Sequence, residues 1–312
     1  AKFLLKVIFL VLGFGIASIA GAELIGSLIL VILCLYLIRY PISRPDRIYI
    51  RKYVSFAIPI TFIGFVLIYS KNIDKIMLQY FLDSVAVGVY VIPQRILETT
   101  LVVSTGVIGL LFPTFSKLFD QQDKARIQKL TNKSVKYVSL CLVPIYLFLF
   151  LFGSQILQIL FGPDSSASFP VLKVFIIISY LNAIRLPYSI QMIASANLGY
   201  AFWLSFCTLL INTILNLYFI PESFLGVKTL NLGLLGAAYT TLFAVSINII
   251  LVLLFCHKKI GTRFYFPVLK HFGVAVCLYY IFIQFFAHSL AGRLCILQKS
   301  LYVTRYYIYH SF

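Results

Sequence analysis

The chain has 312 residues, of which 61% are hydrophobic and only 11% are charged, whereas a soluble domain carries about 25% charged residues. This composition excludes an ordinary soluble enzyme, a disordered chain and a nucleic-acid-binding domain. The formal net charge of +17 arises mostly from Lys and Arg between apolar runs, where these residues indicate membrane topology rather than a polyanionic partner.

Nine apolar runs follow one another along the chain, and each is a candidate membrane-spanning helix. A run of about 20 apolar residues crosses a bilayer, and only helices or closed barrels satisfy their own backbone polar groups in lipid. Runs of this length are too long for barrel strands. The sequence therefore predicts an all-α polytopic membrane protein with about nine transmembrane helices, at 3–19, 22–38, 54–82, 87–113, 137–161, 169–197, 200–220, 232–256 and 267–290.

Basic residues alternate between the loops that join these helices. Lys and Arg are concentrated in segments 39–52, 116–136 and 257–270, whereas the loops between those segments contain one basic residue, Lys228. By the positive-inside rule, the three basic segments lie in the cytoplasm. The localisation that follows is the cytoplasmic membrane, crossed several times.

The polar segment 120–136 has Ile127 and Leu130 on one side. This pattern predicts a short helix that lies at the cytoplasmic surface with its cations near lipid headgroups. Segment 291–312 also carries basic residues, although nine spans that start in the cytoplasm would place it outside. The basic charge of segment 291–312 is the one conflict with the positive-inside rule.

Charged residues inside the predicted spans require a reason, because each costs about 2.5–3.5 kcal/mol at mid-bilayer. Asp74 lies nine residues before Asp83, and Arg95 lies seven residues after Gly88. At about 1.5 Å per residue, the two charges are at similar depth on neighbouring antiparallel helices. This position permits an ion pair between Asp74 and Arg95 that faces a polar cavity.

The predicted cavity carries more cations than carboxylates, which favours an anionic ligand, since a purely structural network would cancel its charge. Two alternatives stay open: the charges neutralise one another between helices, or Lys71 and Lys75 extend to the outer interface. Pro59 and Pro93 lie well inside their helices and predict kinks or hinges. The candidate substrate-cavity residues are Lys71, Asp74, Lys75, Arg95, Glu98 and Arg185.

The sequence has no spacing of Cys or His typical of a metal site, no phosphate-binding loop and no credible nucleophile–base set. We therefore expect a protein that is not an enzyme, with no cofactor, no metal and no catalytic residues.

Two stretches of the chain contain recognisable motifs. Residues 56–100 combine a Pro-containing helix, Asp-Lys-x-x-Leu-x-x-Phe, and Val-Gly-x-Tyr with an Arg one turn on; a Phe-Pro-x-x-Ser motif follows. NTILNLYFIP at 212–221 precedes GLLGAAYTT at 233–241. Together they resemble polysaccharide-biosynthesis flippases of the MATE-like multidrug/oligosaccharidyl-lipid/polysaccharide exporter superfamily. The matching positions are Pro59, Asp74, Lys75, Leu78, Phe81, Gly88, Tyr90, Arg95, Phe112, Pro113 and Ser116.

The resemblance implies two pseudo-symmetric bundles of helices around a central cavity. Residues 1–38 would then be the last two helices of the N-terminal bundle, with four earlier helices missing. Residues 39–53 would be a basic cytoplasmic linker, and residues 54–290 the C-terminal bundle of about seven helices. Segment 291–312 departs from the family pattern as an atypical tail.

The resemblance also implies a flippase. Its substrate would be a polyprenyl-diphosphate-linked oligosaccharide, moved across the cytoplasmic membrane by alternating access for surface polysaccharide synthesis. Its partners would be this lipid-linked oligosaccharide, membrane lipids, and a polysaccharide polymerase or glycosyltransferases, with no nucleic acid. One alternative is a cation-coupled multidrug exporter of the same superfamily, whose cavity should favour carboxylates. Another is a membrane-embedded polysaccharide-assembly protein without transport activity.

Overall fold

The computed structural model describes residues 2–11, 17–38, 47–195, 197–268, 270–271, 273–274 and 277–280. The expected tail 291–312 and most of the expected linker 39–53 lie outside these residues. The chain divides into two compact units, Ala1–Pro59 and Ile60–Phe312.

The first unit contains helices α1 (Lys2–Val11) and α2 (Ala17–Ile38) and the start of α3 (Arg47–Phe81). Helices α1 and α2 pack on each other. The Lys6 ammonium lies 2.5 Å from a carboxylate oxygen of Glu23, so an ion pair joins the two helices.

Within the described residues, the second unit consists of helices, connecting turns and one hairpin. After α3 come α4 (Ser84–Asp120), α5 (Lys124–Phe161), a short 3-10 helix (Pro163–Ser168), α6 (Phe169–Ala194) and α7 (Leu198–Phe219). The antiparallel hairpin of β1 (Ser223–Phe224) and β2 (Val227–Lys228) precedes α8 (Gly233–Phe255), which continues as a π-helical turn, Cys256–Ile260. Further helical residues lie between 268 and 280. The prediction of an all-α polytopic membrane protein is confirmed.

Four helical stretches within the described residues are long and apolar enough to cross a membrane: Lys124–Phe161, Pro163–Ala194, Gly199–Phe219 and Gly233–Ile260. The expected total of about nine spans stays a prediction. In the second stretch, which contains α6, 56% of an apolar 18-residue segment is buried inside the protein, against 11% in the stretch of α7. A helix that is apolar all round and buried is a central helix, and α6 contributes residues to both hydrophobic clusters of the core.

The short cytoplasmic helix predicted at 120–136 is wrong. Residues from Lys124 onward form the first turns of α5, which is 38 residues long, or about 57 Å. The Asp123 side chain caps its start by accepting a hydrogen bond from the Arg126 backbone N–H at 3.0 Å. No Gly or Pro interrupts the next four turns, so the helix runs from its polar extension into the span.

The loops gather at two ends of the second unit. The rings of Phe81, before the α3–α4 turn, and Phe224, in the hairpin, lie 6.2 Å apart. At the other end, the Gln128 side chain bonds both backbone groups of Arg263. This arrangement brings together two loops poor in positive charge at one end and two basic segments at the other, as the charge alternation predicts.

Candidate functional site

A cavity of about 420 Å³ opens between helices α3, α4, α6, α7 and α8. Four of the six candidate residues line it: Lys71, Asp74, Glu98 and Arg185. Lys75 and Arg95 do not. Helix α6 passes through the core, so its polar residues face the other helices instead of lipid.

Asp74 is a well-satisfied polar group of this cavity. Its residue is only 8% exposed, and its carboxylate accepts three hydrogen bonds from neutral donors. Tyr90 Oη donates at 2.7 Å, Asn216 Nδ2 at 2.7 Å and Thr241 Oγ1 at 2.6 Å. These donors stand on α4, α7 and α8, so one carboxylate ties α3 to three other helices.

The predicted ion pair between Asp74 and Arg95 is wrong. The Arg95 side chain is 69% exposed and pairs instead with Glu98 of its own helix, with Nη1 and Oε2 3.0 Å apart. Equal depth along two neighbouring helices is not sufficient to predict a contact, because the rotation of each helix about its axis decides which side chains meet. The Tyr90 hydroxyl reaches Asp74, while Arg95 points away from it.

Arg185 is the less exposed of the two cations in the cavity wall, and it makes no ion pair with a carboxylate among the described residues. Its Nη1 donates to Oδ1 of Asn248, and its Nε is buried with no hydrogen-bond partner. Asn248 in turn donates to Thr208 Oγ1 at 2.6 Å. A guanidinium with a buried N–H needs an anion or a further acceptor to offset the lost hydration, so this position is suited to an anionic ligand.

The charge of the lining differs from the expected excess of four cations over two carboxylates. Two of each line the cavity, because the Lys75 ammonium bonds Asn72 Oδ1 at 3.0 Å and lies outside the lining, as does Arg95. The preference for an anion therefore rests on the state of each group. Glu98 is paired with Arg95 and Asp74 is saturated, whereas Arg185 retains a free donor.

Several polar residues of the site were missing from the sequence-based candidates: Tyr90, Asn212, Asn216, Thr208, Thr241 and Asn248. One signal was present, since Asn212 and Asn216 lie four residues apart on an otherwise apolar helix and therefore share a face. Asn216 Nδ2 also donates to Asn212 Oδ1 at 3.0 Å. No signal in the sequence pairs Asn216 with Asp74, which is 142 residues away.

Helices α3 and α4 continue through Pro59 and Pro93, respectively. Pro93 is buried, and the Pro59 side chain lies outside the described part of the structure. Their expected role as hinges stays a prediction. Among the described residues, no group of three or more His, Cys, Asp or Glu side chains could hold a metal ion.

Apolar helices around a polar cavity define a polytopic protein of the cell membrane. Comparison with solved structures finds a similar fold: the chain matches lipid II flippase MurJ, in its inward closed conformation, with a TM-score of 0.68 over 93% of this chain and 66% of that one. The identity of 17% makes this a likeness of fold alone.

Residues 1–169 match the family described as polysaccharide biosynthesis protein, and the chain belongs to that family. Two relatives come from Haloferax volcanii. Probable low-salt glycan biosynthesis flippase Agl15 is 23% identical over 57% of this chain, and probable flippase AglR is 24% identical over 61%. The matched regions cover 36% and 38% of those proteins, so the chain spans little more than a third of their length. The expected resemblance to polysaccharide-biosynthesis flippases is confirmed.

Proposed function

We propose that this chain is part of a flippase that moves a polyprenyl-diphosphate-linked oligosaccharide across the cell membrane for surface polysaccharide synthesis. The observation that carries the proposal is Arg185, a half-buried side chain on the cavity wall whose Nε atom is buried without a hydrogen-bond partner. The names of the two relatives, both flippases, support the same class of activity.

The chemistry of the substrate fits this wall. A diphosphate does not cross hydrocarbon unaided, and a guanidinium binds phosphate oxygens with two parallel N–H groups. Neutral donors and acceptors share the cavity lining with Arg185, including Ser205, Thr208 and Asn248. The cavity volume of about 420 Å³ lies within the range of small-ligand pockets, about 300–1,000 Å³. We assign to it the diphosphate end of the substrate, with the polyprenyl chain in the bilayer.

Translocation would follow the alternating access of transporters built from repeated bundles, which rock around a fixed binding site. In this chain, the Asp74 network would hold α3, α4, α7 and α8 together as one body during that motion. Pro59 and Pro93 would supply the bending points in α3 and α4. A glycosyltransferase would supply the substrate and a polysaccharide polymerase would consume it, because flipping itself makes and breaks no covalent bond.

Binding of a polyprenyl diphosphate to the purified chain tests the proposal. Replacing Arg185 by Gln removes charge-assisted hydrogen bonds worth about 1.5–3 kcal/mol, so the affinity should fall by roughly tenfold to a hundredfold. Lys173→Gln is the matched control: Lys173 lies on the same helix, outside the cavity lining, with its ammonium 4.5 Å from the centre of the Phe169 ring. It should leave binding unchanged.

The polyprenyl alcohol without the diphosphate should bind weakly to the wild-type chain and equally to both variants. Equal losses in Arg185→Gln and Lys173→Gln would contradict the proposal. The lining also contains Asp74 and Glu98, which a cation-coupled exporter would need. Tight binding of a lipophilic cation such as tetraphenylphosphonium, with no binding of the diphosphate, would favour that alternative.

A further inference from the structure

A second pocket lies on the polar extension of α5, away from the cavity. It measures about 310 Å³ and carries three lysines, Lys129, Lys133 and Lys136. At helical spacings of four and three residues, these side chains share one face. We refer to it as the lysine pocket; it is completed by Ala125, Gln128, Asn132 and Tyr265.

Hydrogen bonds fix the two walls of the lysine pocket relative to each other. Gln128 Nε2 donates to the Arg263 carbonyl at 3.0 Å, and Gln128 Oε1 accepts from the Arg263 backbone N–H at 2.6 Å. The Tyr265 backbone N–H donates to the Tyr188 hydroxyl at 3.1 Å. The segment after the π-helical turn is thereby held against α5, and the pocket is preformed.

Among the residues that the structure describes, none is an acidic partner of the three lysines. The ion pairs found in the second unit, within the part of the chain that the structure describes, are Arg95–Glu98 and Arg126–Asp123, and the pocket lining contains no Asp or Glu. All three lysines are exposed. Three adjacent ammonium groups without counter-charges attract an anion with several oxygens, such as a phosphate.

The surroundings of the pocket indicate where that phosphate comes from. Directly beside the lysines, large apolar side chains point outward: Tyr137 is 58% exposed, Leu140 56% and Phe266 70%. The α5 span begins here, so cations stand at the boundary between the polar extension and the lipid-facing surface. Aromatic residues and lysines in this order are typical of the membrane interface.

We propose that the lysine pocket binds the headgroup of an anionic phospholipid from the cytoplasmic leaflet, with the acyl chains lying along Leu140 and Phe266. The site is separate from the cavity and does not depend on the substrate proposed above. A lipid held here would fix the depth of α5 and of the segment that Gln128 joins to it. Lysines that served only as topology signals would not need to lie on one face of a helix or to line a preformed pocket.

Native mass spectrometry of the full chain tests this site with dioleoylphosphatidylglycerol, and with dioleoylphosphatidylcholine as the neutral lipid of the same chains. We expect selective retention of phosphatidylglycerol. Replacing Lys129, Lys133 and Lys136 together by Gln should weaken its binding at least about tenfold, since each lysine near a membrane surface contributes roughly a fivefold factor. The corresponding triple replacement by Arg should retain binding, because charge and donors persist.

The matched control removes the same charge from exposed lysines outside the pocket, at Lys117, Lys258 and Lys259. It should change phosphatidylglycerol binding by less than about twofold, as expected for sites that share no contacts. If the control variant and the triple Gln variant of the pocket weakened phosphatidylglycerol binding equally, the effect would be one of net charge, and the proposal would be overturned. Displacement of the lipid by millimolar inorganic phosphate would also overturn it, because this result would indicate a soluble anion as the ligand.

Discussion

At the scale of single residues, the sequence predicts that the cavity is polar but not which groups meet in it. Asp74 is an expected cavity residue because a carboxylate inside a predicted span requires a partner. Its partners are Tyr90, Asn216 and Thr241, two of which lie far along the chain on helices whose rotation only the packed structure defines. Spacing along two adjacent helices could therefore suggest Arg95 but could not distinguish it from Tyr90.

The Asp74 network gives a prediction for stability. Tyr90→Phe removes one of three donors to a buried carboxylate, and such a bond contributes about 1.5–3 kcal/mol. The melting temperature of the purified chain should fall clearly. Arg95→Gln removes only an exposed pair with Glu98, worth about 0–1 kcal/mol, and should change the melting temperature little.

A double-mutant cycle separates this arrangement from the ion pair expected from the sequence. Asp74→Asn and Tyr90→Phe should be coupled, since the two side chains contact each other, whereas Asp74→Asn and Arg95→Gln should be nearly additive. Strong coupling of Asp74 with Arg95, and none with Tyr90, would contradict this arrangement and support the Asp74–Arg95 ion pair instead.

At the scale of helices, the apolar cores of α4 and α5 were predictable, but the continuation of each helix into its polar extension was not. Hydropathy locates the part of a helix that lies in lipid. It therefore placed the end of one predicted helix at 113 and the start of the next at 137. In the structure, α4 continues to Asp120 and α5 begins at Lys124. The boundary of each helix is set by a turn or by a capping Asp, and hydropathy detects neither. Asp83 and Asp123 are visible in the sequence, yet an Asp becomes a cap only through the backbone that it meets.

Pro93 gives a prediction at this scale. A proline offers no N–H to the carbonyl four residues before it, here that of Val89, so α4 lacks a backbone bond at mid-helix. If Pro93 is a bending point, Pro93→Ala restores the bond and stiffens the helix. Amide hydrogen exchange in a peptide covering residues 88–97 should slow, while the yield of folded protein stays unchanged.

Pro113, the second proline inside α4, serves as the control. Pro113→Ala should leave exchange in residues 88–97 as it is in the wild type. A Pro93→Ala variant that exchanges at the wild-type rate and folds in lower yield would show that Pro93 serves packing and is not a hinge.

At the scale of the whole chain, charge patterning predicted which loops of the second unit lie at the same end. Basic segments 116–136 and 257–270 meet at one end through Gln128 and Arg263, and the poorly charged loops meet at the other through Phe81 and Phe224. Periodicity could not predict the central position of α6, because a helix that is apolar all round gives no direction. That position is what exposes Arg185 to the cavity, where the proposed function depends on it.

Photocrosslinking from two neighbouring positions of α7 tests most directly whether the cavity holds a diphosphate. Leu209 lines the cavity, whereas Leu210 is 45% exposed and lies outside the lining. With benzoylphenylalanine at either position, we expect a polyprenyl diphosphate labelled in its diphosphate to be captured at 209, and excess inorganic pyrophosphate to suppress that capture. Equal capture at 209 and 210 that pyrophosphate leaves unchanged would contradict a diphosphate site in this cavity.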